Sequence, residues 1–414
     1  MARKISKKLK ENTERLVKKR KNDVAHPAVN ARFALIIVAA LSLSGCGEDQ
    51  PNFAADARPQ RLSEWNLFDL SASRLRPLPT VEVVRPANPL FTDYAHKLRT
   101  LWMPDGTQAT LINDEIDYPV GTVLSKTFYY PVDATGNVIR VADEGAREIG
   151  LTDSRLIETR ILVRQESGWD ALPYVWNEDE TEAFLRVAGA SQTLDMITAA
   201  ELEQPATRFA YFVPNENQCS GCHTTEHPDG GMHPLGAIAS QLTASSHSAS
   251  GEFQPQIDTL VARGWLDKAP QIQTLDSYED TDLPLDKRAL AYLNMQCGHC
   301  HNPKGAADTS GLILTGKHKS LVSMGVCKPP VAAGGGAGDL QYGIVPGDPD
   351  NSILHYRVAS TKPDEMMPEL GRSLVHEEGV ALLREWIDTL PGSCDNENEV
   401  ADQNADFRGA DTAG

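Results

Sequence analysis

Aromatic residues are scarce, 6% of 414, and basic residues become scarce beyond the first 32 positions. Eleven of the 39 Lys and Arg fall in residues 1–32, leaving 28 cations against 54 carboxylates in the rest, a net charge of −26. A body that acidic repels nucleic acid and anionic lipid, which excludes a nucleic-acid role. It suits a partner with a basic docking face. Long apolar runs are missing too. Phe33 to Gly45 is apolar or small throughout, but falls short of the ~20 residues that a membrane-spanning helix needs. Apart from one duplicated cysteine motif there is no internal repeat.

What that short run does fit is the apolar core of an export signal behind a basic prefix. Leu43-Ser44-Gly45-Cys46 resembles the bacterial lipoprotein cleavage box, in which Cys46 takes the lipid and becomes the mature N-terminus. Gly47 in place of Asp at the next position directs the anchor to the outer membrane, facing the periplasm. The basic prefix is long for a signal, so translation is expected to start later, at Val24 or Val29.

Cysteine usage agrees with export. The seven are Cys46, Cys219, Cys222, Cys297, Cys300, Cys327 and Cys394. Setting aside the lipid site and two Cys-x-x-Cys pairs leaves Cys327 and Cys394, a disulfide in an oxidising compartment.

The expected organisation is α+β and multidomain. Residues 1–45 form the signal peptide and 46–60 a polar tether. Residues 61–213 form a β-rich, sandwich-like domain, with strands at 81–84, 157–163, 171–176 and 209–213. A hairpin is expected where 127–131 faces 137–141 across Asp133-Ala-Thr-Gly136. Residues 214–280 carry the first cysteine motif, and 281–394 form a mainly α-helical module carrying the second. Helices are expected at 258–266, through Leu285, Ala289, Leu290 and Leu293, from Ser352, and over 376–390. Residues 395–414, with six acids and one Arg, form a disordered tail.

Gln-Cys-Ser-Gly-Cys-His at 218–223 is echoed by Gln-Cys-Gly-His-Cys-His at 296–301. Cys-x-x-Cys-His is the c-type haem attachment signature: two thioethers on one porphyrin edge, then an imidazole under the iron. A zinc ribbon would leave the trailing histidines unexplained, and a thiol redox pair would need only one motif in a βαβ context. The chain is therefore expected to bind two covalent haems, through Cys219, Cys222 and His223, and through Cys297, Cys300 and His301. Met367, in the rigid Met-Met-Pro-Glu-Leu-Gly stretch at 366–371, is the expected sixth ligand of the second haem, with Met366 and Met324 as alternatives. For the first haem Met232 is the choice, because Gly230 and Gly231 could turn it back. His227, His233, His247, His96 and Met103 remain open.

Residues 285–390 resemble a class I cytochrome c domain: a helix into Cys-x-x-Cys-His, Pro-Gly-Asp-Pro-Asp-Asn-Ser at 346–352, a Met-Pro loop and a closing Leu-Leu-Arg-Glu-Trp-Ile helix. More widely, residues 61–394 resemble a family of exported dihaem c-type cytochromes of uncharacterised role, through stretches 89–97, 156–160 and 174–177. The resemblance implies electron transfer. The alternatives are a haem enzyme, such as a dihaem peroxidase or oxidase with an open first haem, and the cytochrome-bearing subunit of a periplasmic dehydrogenase.

Overall fold

The computed structural model describes residue 51 and residues 56–112, 115–198, 205–243, 245–247, 253–272, 275–316, 320–331 and 334–395. The expected signal peptide, Cys46, most of the tether and residues 396–414 lie outside the described residues. No helix among those described is long and apolar enough to cross a membrane.

Fourteen strands precede the first cysteine motif. They are β1 (Phe68–Ser71), β2 (Arg74–Pro77), β3 (Glu82–Val83), β4 (His96–Trp102), β5 (Thr110–Ile112), β6 (Glu115–Asp117) and β7 (Val123–Pro131). Then come β8 (Val138–Arg140), β9 (Ile149–Gly150), β10 (Ser154–Gln165), β11 (Gly168–Trp176), β12 (Ala183–Leu185), β13 (Ala190–Thr198) and β14 (Thr207–Val213). The protein is β-rich, with several sheets. The largest runs β12-β11-β10-β7-β4-β3, flanked by three-stranded sheets β1-β2-β9 and β14-β13-β8.

Period-two alternation explains the layering. One face of the large sheet carries Leu98, Trp102, Val123, Tyr129, Ile161 and Val163, in one core with Leu75 and Ile149 of the first flanking sheet. The opposite face has two separate apolar patches. Leu101 and Leu124 belong to one; Phe128, Tyr130 and Ile157 join Leu194 and Tyr211 of the second flanking sheet in the other. Between these patches the inward positions are charged.

The hairpin expected at 127–141 is only half formed. Its turn closes, with Asp133 Oδ1 accepting from the Thr135 and Asn137 backbone. Beyond the bridge between Val132 and Val138, however, β8 leaves to pair in parallel with β13. The cause is that β7 already has both edges occupied, by β4 and β10.

The helices follow: α1 (Glu216–His223), α2 (Ala239–Leu242), then strands β15 (Ser245–His247) and β16 (Phe253–Pro255), then α3 (Gln256–Ala262), α4 (Leu285–Gln296), α5 (Leu321–Met324), α6 (Ile353–Ala359) and α7 (Glu377–Thr389). From 281 to 394 the described elements are helices, but loop outweighs helix, unlike the mainly helical module expected. Leu293, Leu383, Trp386 and Ile387 centre its core. The Sγ atoms of Cys327 and Cys394 are bonded, closing a 67-residue span.

The loop before β4 joins the two parts. Asn88 accepts from Tyr278 N and donates to the Asp276 carbonyl. Phe91 N donates to Gln296 Oε1, whose Nε2 donates to the Pro89 carbonyl. Gln296 immediately precedes Cys297, so the β-rich part fixes the entry to the second motif.

Candidate functional site

The first motif hangs from β14. Asn215 caps α1 by accepting from Gln218 N, and Gln218 Oε1 accepts in return from Asn215 N. This places Cys219, Cys222 and His223 on one face of α1. The His223 Nδ1 lies 2.7 Å from the His233 carbonyl, so it carries the proton and Nε2 keeps its lone pair. Burial pulls the ring down to about 4, which keeps it neutral at pH 7.

The second motif repeats this arrangement with different partners. Cys297 ends α4, and the His301 amide closes one turn on the Cys297 carbonyl. Ser310 Oγ donates to the Ala307 carbonyl, so toward His301 Nδ1, 3.0 Å away, it must accept. Nε2 of His301 is again the free lone pair, and burial again holds the ring near 4.

His301 opens onto a cavity of about 120 Å³. Cys297, Met324, Arg357 and Met367 are among its lining residues. Met366 is buried and does not line it. The Met367 loop is fixed from both sides: its amide donates to the Arg357 carbonyl, and its carbonyl accepts from Arg372 Nη2 at 2.8 Å.

Residues almost eighty positions apart in sequence meet here. The Cys300 thiol lies within hydrogen-bonding reach of both Cys222 Sγ and the Gly221 carbonyl. Ligand atoms of Cys222, His299 and Cys300 all lie within 4.8 Å of one another. Lys304 pairs with Glu226, and the His227 amide donates to the Lys304 carbonyl. The two Cys-x-x-Cys-His turns are thus packed against each other.

The expected ligand Met232 lies on the loop that follows His223. Met232 bridges Thr224, and the next residue supplies the carbonyl behind Nδ1. The His233 backbone therefore sits on the Nδ1 side of the ring. His227 and His233 are exposed on the same loop. His96 is engaged with the Val141 carbonyl, Met103 is packed in the β-side core, and the His247 side chain lies outside the described ones.

Sequence reasoning missed His299, Ser310 and Arg372, and also the charged inward positions of the large sheet. For the last a signal existed: Lys97, Arg99, Lys126, Glu158 and Arg160 interrupt strands that otherwise alternate with apolar residues. Comparison with known proteins gives no match, whether to a family model, a curated protein or a solved structure.

Proposed function

We propose that this chain is a dihaem c-type cytochrome that passes single electrons at the periplasmic face of the outer membrane, tethered by a lipid on Cys46. The observation that carries the reading is the shared cavity. His301 with its Nδ1 proton committed to Ser310, and Met367 on a loop fixed by Arg357 and Arg372, line one and the same cavity. On this reading residues 281–394 are a class I cytochrome c-like module. Cys297 and Cys300 attach the haem, and Met367 is the sixth ligand.

Cys219, Cys222 and His223 hold the first haem in the same way. A bound haem supplies a one-electron iron couple; the chain itself attaches, orients and shields it. The Nδ1 partners keep both imidazoles in the tautomer that offers Nε2. The contact between Cys222 and Cys300 sets the two attachment edges side by side, a layout suited to electron exchange. The −26 body favours a basic partner protein.

The test is covalent haem counted on the denatured, exported chain. Two haems per chain are expected, and one in either double variant, Cys219→Ser with Cys222→Ser or Cys297→Ser with Cys300→Ser. A colourless wild-type chain holding zinc at Cys222, His299 and Cys300 would sink the proposal.

A second reading has its own support. Of the candidates weighed for the first haem, His96 is engaged with the Val141 carbonyl, Met103 is packed in the β-side core, and His227 and His233 are exposed. An open first haem would make the protein a peroxidase or oxidase. A high-spin resonance signal together with peroxide turnover would favour that reading, and two low-spin signals would remove it.

A further inference from the structure

Across β4, β7 and β10 the register places Arg99 opposite Lys126, and Lys126 opposite Arg160. At about 4.8 Å between strands these three cations form a row roughly 10 Å long. All three are at least half-buried, and Lys97, one step along the same face, is buried. Like charges set directly opposite one another destabilise a sheet, and buried charges are costly unless compensated.

Compensation within the row is incomplete. Arg160 is held by both oxygens of Glu158, which also accepts from Tyr211 Oη at 2.7 Å. Arg99 reaches only the Lys97 carbonyl, at 3.5 Å, and has no ion pair among the described residues. Asp143 and Glu279 act on it from further away. Lys126 has neither a hydrogen bond nor an ion pair among the described residues; its ammonium sits 5.3 Å from the centre of the Phe128 ring. Burial, with Arg99, Arg160 and Lys97 beside it, pushes its amine well below the usual lysine range. Neither Arg99 nor Lys126 is in direct contact with a carboxylate among the described residues.

The row lies beside the first motif: Tyr211, on the strand that leads into α1, donates to Glu158, and α1 packs against β11, the neighbour of β10. Lys126 is among the charges that act on the His223 ring, and Arg160 and Glu158 act on Cys219. A group attached at Cys219 and Cys222 and seated on His223 therefore has this stretch of sheet within its reach.

We propose that Arg99 and Lys126, backed by Arg160, form an anion-binding wall that takes two carboxylates, and that these are the propionates of the haem carried by Cys219, Cys222 and His223. The inference rests on the haem reading above. Under it, the β-rich part completes the first haem pocket.

The experiment is a redox titration of the haem-loaded, exported full chain, with haem counted in parallel. Lys126→Gln and Arg99→Gln are each expected to retain two covalent haems and to lower one midpoint potential, because a cation beside the pocket disfavours the oxidised iron. The other potential is expected to stay in place. Lys126→Arg keeps the charge and is expected to leave both potentials close to wild type. Arg99→Gln, on a neighbouring strand, keeps the question open to decision should Lys126→Gln fail to fold.

Unmoved potentials in both Gln variants would overturn the proposal, and so would a shift in Lys126→Arg as large as in Lys126→Gln. Saturable binding of inorganic phosphate to the row with both haems in place would overturn it as well, since the wall would then serve a free anion. A wild-type chain without haem at Cys219 and Cys222 is a separate result. It defeats the haem reading itself and is seen in the denatured mass before any titration.

Discussion

Arg372 is 6% exposed, and its guanidinium meets no carboxylate among the described residues. It reaches the carbonyls of Met367, Leu374, Arg357 and Ser360, tying the Met367 loop to the end of α6. Lysine cannot serve four carbonyls from one nitrogen. Arg372→Lys is expected to cost about 2–3 kcal/mol in denaturant unfolding, from carbonyls left unsatisfied. On the proposed haem reading it should also weaken the far-red thioether-to-iron absorption band.

Asp93 is the other residue whose setting has a readable consequence. Its Oδ1 accepts from the Ser373 and Leu374 amides, yet burial outweighs those bonds and raises the carboxyl from 3.8 to about 6. The folded state thus binds the proton more tightly than the unfolded chain does. The stability this group adds is complete below about pH 3.8 and disappears as pH rises through about 6. Asp93→Asn is expected to flatten that part of the stability profile, as measured by thermal unfolding between pH 4 and 7.

Among the elements, the crossing of α4 and α7 depends on a missing side chain. A Cβ on Gly379 would stand 2.2 Å from Tyr292 Oη, and Tyr292 is held by its contact to His376 Nδ1 at 3.1 Å. Gly379→Ala improves helix propensity but overpacks the crossing. Net destabilisation of about 1–2 kcal/mol is expected by denaturant titration. Both helices were legible in sequence, since their apolar spacing follows one face. The face of α4 was read less well. Tyr292, Met295 and Gln296 are buried beside Ala289 and Leu293, because the loop carrying Pro89 and Phe91 covers that flank. A periodicity count within one helix carries no information about a loop two hundred residues earlier. The same limit applies to β8, whose local turn predicts a hairpin while its long-range partner is β13.

For the molecule as a whole, Cys327–Cys394 fastens the end of the described chain to the loop that lines the Met367 cavity. By loop-closure entropy over 67 residues, Cys394→Ala with Cys327→Ala is expected to lower stability by about 4 kcal/mol. Comparing unfolding of the double variant with the oxidised parent checks it. On the proposed reading, the cysteines and histidines of the two motifs stood out in the sequence because porphyrin geometry fixes their spacing locally. The Nδ1 partners did not, because one is the backbone carbonyl of His233 and the other a common serine. The cation row escaped too. Each of its members sits alone on its own strand, and only register brings them together.

The contact between Cys222 and Cys300 also bears on the order of events during biogenesis. The packing of the two turns narrows, on the proposed reading, an attachment enzyme's access to Cys222 and Cys300 in the finished protein. On the proposed reading, haem is ligated while the chain is still open and the N-terminal motif is loaded before α4 docks. A delay in ligation would then trap two facing thiols in an oxidising compartment, where they are prone to cross-link.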